Sequence, residues 1–396
     1  MMRRTGDKEL IDKIIIFGAG RLGRAAYYYY LNKKEIECFI DNRESLWNTC
    51  LEGIPVCAPD ILKRYDLREI RVVIAIKDGW KQIQEQLYHD YRLRKSILFG
   101  IEENLLDIPK REAGPACITD EIIIHYSGGL GNQMFQYALA SCFRKAGNRV
   151  SDDTSEYHVW ESGRFELPSV FPEISVRECD ETLKLLYEKS LDFQYSEAAA
   201  GKVDSIRADM QILNRRKGII KGYWQSFRYV EFVRNELVHD FQFRKKEDER
   251  FWEIRNQIRA QNAVSVHIRR GDYLQNDDLY GGICTAAYYD KAIQYIMRQT
   301  EEIVFYFFSD DIAWAKEKYA GLSHSVFVTK ALFEDYEDWY DMCLMSCCKH
   351  NIVANSTFSW WGAWLNGNPD KIVIAPHKWL NGTELPDICP PDWIRI

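Results

Sequence analysis

The stretch Val264–Tyr273, VSVHIRRGDY, decides the fold class of this chain. Its valines and its isoleucine alternate with Ser265, His267 and Arg269, and this period of two predicts a buried strand. Gly271 then ends the strand. The pattern delivers a histidine and two arginines to the end of a strand, which is the edge of an open α/β sheet where ligands bind.

The charge of this segment has two interpretations. The guanidinium groups of Arg269 and Arg270 are planar forks that suit a phosphate or a diphosphate. The alternative is an ion pair between either arginine and Asp272, which follows them closely in the chain. The segment alone leaves both interpretations open.

Size and charge exclude several classes of protein. The chain has 396 residues, enough for two or three domains. It carries 52 basic and 59 acidic residues, a net charge of −7, and this balance argues against a nucleic-acid-binding protein. No apolar run reaches the roughly 18 residues of a membrane span, and no secretory signal is visible. Because the eleven cysteines have no regular spacing, we expect reduced thiols in a cytoplasmic protein.

Residues 1–112 have the pattern of a small Rossmann-like α/β domain. A buried strand runs directly into a GxGxxG turn formed by Gly18, Gly20 and Gly23 at the start of a helix. Such a turn brings backbone N–H groups and a helix N-terminus close to a pyrophosphate. Asp41 ends the next strand and is placed to bond a ribose.

The role of this first domain has two interpretations. It binds an unidentified nucleotide or nucleotide sugar, or it is a Rossmann-like domain that kept its turn and lost its ligand. No acid or base for hydride transfer stands out nearby. A nucleotide-dependent oxidoreductase acting through this domain is an alternative function for the protein, and NAD(P)H fluorescence on mixing would detect it.

A charged, proline-flanked segment, Pro109–Pro115, is the best domain boundary in the sequence. Strands and helices alternate after it, and this alternation predicts parallel sheets covered on both faces. We expect two further domains, residues 118–245 and residues 246–396.

Three strands of the last domain end in polar clusters. The clusters are His267/Arg269/Arg270/Asp272, Ser309/Asp310/Asp311 and Asn355/Ser356/Thr357/Ser359. If the three strands are neighbours, these clusters form one site. Arginines would neutralise a diphosphate, and hydroxyl and N–H groups at the following helix start would bind the same phosphates.

The adjacent carboxylates Asp310 and Asp311 have several interpretations. They are candidates for a magnesium or manganese site. However, adjacent residues point apart in an extended segment, and the arginines already supply positive charge, so a metal-free site is favoured. A carboxylate also accepts two hydrogen bonds from a base with adjacent N–H donors, such as guanine. For Asp311 the structural alternative is a helix N-cap.

The segment Asn355–Leu365 combines hydroxyls with tryptophans. Three hydroxyls at one strand-to-helix turn are more than capping needs, and this favours a binding role for them. For Trp360, Trp361 and Trp364, packing is the better interpretation.

Four motifs together resemble a known family. They are SGGLGNQMFQYA at 127–138, KGYWQS at 221–226, VHIRRGDY at 266–273 and NSTFSWWGAWL at 355–365. In this order they resemble the motifs of the bacterial α-1,2-fucosyltransferases of glycosyltransferase family 11. The resemblance covers about residues 120–396 and does not include the first domain.

The resemblance implies a GT-B-like enzyme, in which two Rossmann-type halves face a cleft. It implies that L-fucose moves from GDP-fucose to the 2-hydroxyl of a terminal galactose, with inversion at the sugar carbon. No metal and no cofactor are required. The partners are GDP-fucose and a β-galactoside glycan, and peripheral attachment to the inner face of a bacterial membrane stays open, as does the oligomeric state.

The resemblance also implies roles for particular residues. Arg269 contacts the donor diphosphate, and His267 lines the same pocket. Either Asp310 or Asp311 recognises guanine. The remaining positions at the donor site are Ser356, Thr357 and Ser359, which hold phosphate, and Phe358 between them.

The reacting centre is less well determined. Asn132, in the glycine-rich turn of the first motif, is implied to face it from the other half. Cleavage of the fucosyl–phosphate bond builds charge on the departing GDP, which positioned cations and N–H donors stabilise. A general base must lie within hydrogen-bond reach of the acceptor hydroxyl. Asp272 and His267 are candidates, and the sequence does not choose between them.

A non-catalytic carbohydrate-binding protein is a further alternative. It would keep glycan binding in an Arg269→Ala variant, whereas a transferase would lose most of its activity.

Overall fold

The structure, a computed structural model, describes residues 13–30, 35–67, 70–76, 79–93, 96–98, 120–159, 164–189, 191–198, 203–245 and 248–396. The predicted linker Pro109–Pro115 lies outside the described residues. The chain divides into two compact units. The first unit comprises Met1–Glu121, Cys179–Gln194 and Lys217–Ile219, and the second comprises Ile122–Glu178, Tyr195–Arg216 and Ile220–Ile396. The division of residues 118–396 into two halves stays a prediction.

The described residues before residue 99 alternate between strands and helices. In chain order they are β1 Lys13–Phe17, α1 Arg21–Tyr30, β2 Glu35–Ile40, β3 Thr49–Leu51, β4 Ile54–Cys57, β5 Ile70–Ile74, α2 Trp80–Tyr91 and β6 Ser96–Leu98, with 3-10 helices at Glu44–Leu46 and Pro59–Arg64.

These strands form one six-stranded sheet in the order β3-β4-β2-β1-β5-β6. The pairs are parallel except β3 with β4, which is antiparallel. Strand β1, KIIIF, lies in the middle, and its isoleucines are at most 2 % exposed. A central parallel strand is covered on both faces, which explains its continuous apolar run.

The GxGxxG turn follows β1 as predicted. Gly18 has φ +110°, a conformation that favours glycine. A Cβ atom added at Gly23 would lie 1.7 Å from the carbonyl oxygen of Gly18, so only glycine allows this close approach. At Gly20 the nearest atom to an added Cβ is a guanidinium nitrogen of Arg43 at 3.9 Å.

The second half of α1 packs into the core of the first unit. Tyr27 and Tyr30, two of four consecutive tyrosines in the sequence, are 9 % and 6 % exposed, so both pack in the core. Leu185, from the part of the first unit that follows residue 178, packs against the same core.

From residue 120 onward the described chain contains longer helices. In chain order the elements are β7 Glu121–His125, α3 Leu130–Lys145, β8 Arg149–Asp153, α4 Glu156–Val159, α5 Leu167–Val170, α6 Glu181–Glu188, β9 Gln194–Ser196, β10 Gly218–Lys221, α7 Phe227–Phe232, α8 Arg234–Asp240, α9 Glu249–Ala260, β11 Asn262–Ile268, α10 Asp277–Tyr280, α11 Ala286–Gln299, β12 Ile303–Ser309, α12 Ile312–Tyr319, β13 Ser325–Phe327, α13 Trp339–Cys347, β14 His350–Ile352, α14 Thr357–Trp364, β15 Val373–Ala375 and β16 Ile394–Arg395. Short 3-10 helices lie at Leu191–Phe193, Met210–Asn214, Asp272–Gln275 and Lys330–Leu332.

Two further sheets arise from these strands. A four-stranded sheet has the order β8-β7-β10-β9, and a six-stranded sheet has the order β13-β12-β11-β14-β15-β16. All pairs of the six-stranded sheet are parallel. Its order reverses between β11 and β14, because the chain first adds strands on one side of β11 and then on the other. The chain is therefore mixed α/β with parallel sheets.

The tryptophans of α14 are core residues, as predicted. Trp360, Trp361 and Trp364 are at most 4 % exposed. The ring of Phe135, on α3, lies 4.7 Å and 4.9 Å from the rings of Trp360 and Trp361. This aromatic packing joins α3 to α14 and so positions the turns that precede both helices.

We predict that Gly23→Ala lowers the free energy of unfolding of the first unit by about 2–3 kcal/mol, because the added Cβ meets backbone that cannot move aside. Gly20→Ala is the matched control from the same turn, with an expected change within about 0.5 kcal/mol. Chemical denaturation followed by circular dichroism measures both. Equal stability of the two variants would contradict the close approach.

Candidate active site

The three polar strand ends predicted from the sequence are neighbours. Strand β11 pairs with β12 on one side, where Ile268 faces Ser309, and with β14 on the other, where Val266 faces Ile352. The clusters that follow β11, β12 and β14 therefore meet at one edge of the six-stranded sheet. This edge includes the reversal of strand order, where open α/β sheets bind ligands.

The cationic turn after β11 contacts the hydroxyl-rich turn after β14. The hydroxyl of Tyr273 donates a hydrogen bond of 2.8 Å to the carbonyl oxygen of Asn355. The rings of His267 and Phe358 lie 6.0 Å apart. The Arg269 guanidinium carbon lies 5.8 Å from the centre of the Tyr273 ring. These contacts bring the turns that carry Arg269 and Ser356 together.

Two buried polar atoms at this edge have no hydrogen-bond partner within the described protein. They are Nδ1 of His267 and Oδ1 of Asn355, on residues that are 6 % and 2 % exposed. An unsatisfied buried polar atom costs about 1–3 kcal/mol. Because both lie at adjacent strand ends, a polar ligand there would relieve two such costs at once.

The imidazole of His267 stays neutral in this environment. Burial, together with the nearby positive charge of Arg269, lowers the pKa of His267 from 6.5 to about 3. A neutral imidazole offers one N–H donor and one acceptor nitrogen.

The carboxylate of Asp310 holds the cationic turn. It accepts backbone N–H groups from Arg270 at 2.8 Å and Gly271 at 3.1 Å, and it pairs with Arg269 Nε at 3.2 Å. An interaction with guanine would have to share these oxygens. Recognition of guanine by Asp310 stays a prediction, and the observed contacts assign the carboxylate a positioning role.

Asp311 and Arg270 form a second pair. Asp311 caps α12 by accepting the backbone N–H of Trp314 at 3.1 Å, which confirms the N-cap interpretation. Its other oxygen accepts Arg270 Nε at 3.1 Å, and the guanidinium of Arg270 lies 4.4 Å from the centre of the Trp314 ring. Arg269 therefore forms an ion pair with Asp310, and Arg270 forms one with Asp311. The side chain of Asp272 lies outside what the structure describes.

The start of α14 divides its hydroxyls between two roles. Ser359 donates to the carbonyl oxygens of Ser356 and Ala354 at 3.3 Å and 3.5 Å, which is a structural role. Ser356 is the N-cap residue, yet its hydroxyl makes no capping hydrogen bond. Ser356 therefore keeps a hydroxyl at a helix N-terminus, where an anion is favoured.

The glycine-rich turn of the first motif lies directly against the start of α14. A Cβ atom at Gly131 would lie 2.6 Å from Oγ1 of Thr357 and 2.8 Å from the backbone nitrogen of Phe358. The indole N–H of Trp361 donates to the carbonyl oxygen of Gly131 at 2.9 Å. Glycine at position 131 is thus required for the two motifs to touch.

Asn132, from the same turn, is joined to the KGYWQS motif. Gln225 Nε2 donates to Asn132 Oδ1 at 3.0 Å, and Gln136 Nε2 donates to the carbonyl oxygen of Gly222 at 2.9 Å. Residues 128–132 therefore contact both KGYWQS and NSTFSWWGAWL, and NSTFSWWGAWL in turn contacts VHIRRGDY.

The sequence analysis missed a polar cluster beside this turn. His125 Nδ1 lies 2.7 Å from Oδ2 of the buried Asp153, and His125 Nε2 lies 3.2 Å from Oε2 of Glu156. His125 ends β7 and Asp153 ends β8. The strand-end argument applied to the last domain would have found both residues.

In the first unit, Asp41 stabilises the GxGxxG turn. Its carboxylate accepts the backbone N–H of Ala19 at 2.8 Å and pairs with the guanidinium of Arg43 at 2.9 Å. A ribose hydroxyl would compete with these contacts. Ligand binding by Gly18, Gly20, Gly23 and Asp41 stays a prediction.

The described residues bear on metal binding and on membrane insertion. Within them, no group of three or more His, Cys, Asp or Glu side chains is arranged to hold a metal ion. Within the same residues, no helix combines the length and the apolar character needed to cross a membrane.

The chain belongs to glycosyl transferase family 11, whose family model matches residues 118–396. It is 34 % identical over 299 residues to an alpha-1,2-colitosyltransferase of Escherichia coli, an alignment that covers 69 % of this chain and 98 % of that protein. It is 25 % identical over 296 residues to galactoside alpha-(1,2)-fucosyltransferase 1 of Saimiri boliviensis boliviensis, covering 71 % and 76 %. Among solved structures, the fucosyltransferase NodZ from Bradyrhizobium aligns with 13 % identity and a TM-score of 0.37, covering 62 % of this chain and 93 % of that one.

We predict that Asp310→Asn weakens binding of GDP and of inosine diphosphate by the same factor, about tenfold, because an amide cannot accept two backbone N–H groups and a guanidinium together. Isothermal titration calorimetry measures both affinities, with the exposed Asp278→Asn as control. A carboxylate that recognises guanine would behave differently: the wild type would prefer GDP, and the variant would lose that preference.

We also predict a pH effect from His267. Its folded pKa lies below its unfolded pKa, so protons bind the unfolded chain preferentially as the pH falls below 6.5. Between pH 7 and pH 5 this linkage should cost the second unit about 2 kcal/mol of stability. Urea unfolding at both pH values should show that loss reduced in His267→Gln and retained in the exposed control His377→Gln. An equal pH dependence in both variants would refute the buried neutral imidazole.

Proposed function

We propose that this chain is an inverting glycosyltransferase that moves L-fucose from GDP-fucose to the 2-hydroxyl of a terminal galactose, without a metal ion. The observation that carries the proposal is the pair of unsatisfied buried atoms, Nδ1 of His267 and Oδ1 of Asn355, between the cationic turn and the start of α14. Membership of glycosyl transferase family 11 supports the reaction class.

The donor diphosphate fits the edge formed by β11 and β14. Arg269 supplies a guanidinium on a turn whose backbone Asp310 holds in place. The start of α14 supplies the hydroxyl of Ser356 and the N–H groups of a helix N-terminus. The neutral His267 contributes a hydrogen bond without adding charge. These groups are positioned before the substrate arrives, which is how electrostatic stabilisation of a departing diphosphate works.

The acceptor then attacks from the side opposite the departing GDP, so the configuration at the fucose carbon inverts. In this proposal Asn132 is the residue of the SGGLGNQMFQYA motif that faces the reacting centre. Gln225 holds Asn132 in place by donating a hydrogen bond to its side-chain oxygen. His125, with the buried Asp153 beside it, is a candidate to accept the proton of the acceptor hydroxyl, in addition to Asp272. His267 is the weakest of the three candidates, because a pKa of about 3 makes it a poor base.

One observation favours a second candidate for the donor sugar. A relative with 34 % identity is an alpha-1,2-colitosyltransferase. Colitose differs from L-fucose by the loss of the 3-hydroxyl, so GDP-colitose would suit the same diphosphate contacts. We favour fucose on the resemblance of the motifs, and GDP-colitose serves as the comparison donor.

We further propose that residues 118–396 form a GT-B-like enzyme preceded by a Rossmann-like domain. Numbered within the six-stranded sheet of the second unit, the strand order is 3-2-1-4-5-6. In the first unit, with the antiparallel β3 set aside, the order is 3-2-1-4-5. Both orders support Rossmann-type topology.

The test is incubation of the protein with GDP-fucose or GDP-colitose and lactose, in buffer containing EDTA. GDP release and a product with an α-1,2 linkage, identified by NMR spectroscopy, are the expected results with GDP-fucose. Absence of GDP release and of product across a panel of β-galactosides would refute the transferase. Activity that needs added magnesium would refute the metal-free reaction.

We predict that Arg269→Ala lowers kcat/KM by about 10²- to 10³-fold, because charge on the departing diphosphate loses its cation. Arg269→Lys keeps the charge and loses the fork, so it should recover only part of the activity. The exposed Arg298→Ala is the control. Wild-type activity in Arg269→Ala would show that the cationic turn takes no part in the reaction.

A further inference from the structure

Tyr223 is an aromatic side chain that the fold leaves exposed. It is 43 % exposed, although its neighbour Trp224 is 7 % exposed and the preceding strand β10 is largely buried. It lies in the KGYWQS motif, whose Gln225 is bonded to Asn132. An exposed ring in this position is not accounted for by packing of the core.

The backbone around Tyr223 is held in a strained shape. Gly222 has φ +127° and Trp224 has φ +52°, the left-handed region that a non-glycine residue rarely adopts. One oxygen of Glu197 accepts the backbone N–H groups of both Tyr223, at 3.0 Å, and Trp224, at 2.9 Å. Strain of this kind persists where surrounding contacts enforce it, and it concentrates at ligand sites. Here the enforced geometry presents one ring to solvent.

The ring lies against the glycine-rich turn of the first motif. A Cβ atom at Gly128 would lie 3.3 Å from Cε1 of Tyr223, whereas nothing lies within 4 Å of a Cβ at Gly129. Gly129, the next residue in the turn, therefore has open space on its Cβ side. Gly131, three residues after Gly128, touches Thr357. The Tyr223 ring and the start of α14 therefore contact the same short segment, at positions three residues apart.

Polar groups surround the same turn. The pair Asn132–Gln225 and the pair His125–Glu156 provide hydrogen-bonding atoms beside it. Tyr223 is 43 % exposed, so its burial is only partial; this partial burial, together with the nearby carboxylate of Glu156, raises the pKa of Tyr223, and the hydroxyl stays protonated at neutral pH. An aromatic face with a few polar groups at its edge is the usual composition of a small-ligand site.

We propose that Tyr223 is the platform on which the terminal β-galactose of the acceptor stacks. This inference rests on the proposed function and identifies the acceptor side of its site. The axial 4-hydroxyl of galactose leaves one face of the ring covered by C–H groups, and that face packs on an aromatic ring. The surrounding amides and the His125–Glu156 pair then bond the sugar hydroxyls and direct the 2-hydroxyl toward the donor.

The experiment compares Tyr223→Ala with Tyr223→Phe, which keeps the ring and loses the hydroxyl. Tyr223→Leu is a second variant that keeps apolar bulk without a flat face. Tyr88→Ala is the matched control, since Tyr88 is a tyrosine of the first unit with 45 % exposure. Initial rates of GDP release are measured with varied lactose and with varied GDP-fucose, and GDP affinity is measured by calorimetry.

We expect Tyr223→Ala and Tyr223→Leu to raise the KM for lactose about tenfold, with the KM for GDP-fucose and the Kd for GDP unchanged. Tyr223→Phe should stay within about twofold of the wild type. An unchanged KM for lactose in the alanine variant overturns the platform. A loss of GDP affinity in that variant also overturns it, because the residue would then belong to the donor side.

A second measurement does not require turnover. Saturation-transfer NMR with methyl β-D-galactopyranoside, in the presence of GDP, should show transfer to protons on the C–H face of the sugar in the wild type and not in Tyr223→Ala. Saturation transfer in the wild type and not in Tyr223→Ala, with no turnover, would refute the proposed transferase and support the sugar platform. Turnover in the wild type, with equal saturation transfer in the wild type and in Tyr223→Ala, would support the transferase and refute the platform.

Discussion

The reversal of strand order between β11 and β14 is the constraint on which the site depends. The chain adds strands on opposite sides of β11, so the turns after β11 and β14 lie next to each other at the edge where open α/β sheets bind ligands. The structure leaves two buried polar atoms unsatisfied at this edge, on His267 and Asn355. Both atoms are free hydrogen-bonding positions that a polar ligand at this edge would satisfy.

The glycine-rich turn of the first motif connects this edge to the rest of the second unit. Gly131 allows contact with Thr357, and Asn132 is bonded to Gln225. Residues 128–132 therefore lie between α14 and the strained loop that carries Tyr223. This arrangement brings motifs that are far apart in the chain close together in the fold.

The carboxylates at this edge position other groups of the site. Asp310 holds the turn that carries Arg269, and Asp311 caps α12 while pairing with Arg270. These carboxylates lower the freedom of the arginines before a substrate binds. A preorganised cation costs less to align with a departing diphosphate than a mobile one. In the first unit, Asp41 has a comparable structural role toward its own glycine turn.

Local patterns determined a large part of this picture. Alternation of apolar residues predicted β11, and glycine spacing predicted the turn at Gly18, because both depend on backbone sterics within a few residues. The alternation of strands and helices predicted parallel sheets but left open whether β11, β12 and β14 are neighbours, and the topology places them side by side. Only the tertiary structure decided which polar atoms are already hydrogen-bonded to other protein groups. The partners of Asp310 lie about 40 residues away in the chain, and the exposure of Tyr223 depends on Glu197, so neither is visible in a sequence pattern.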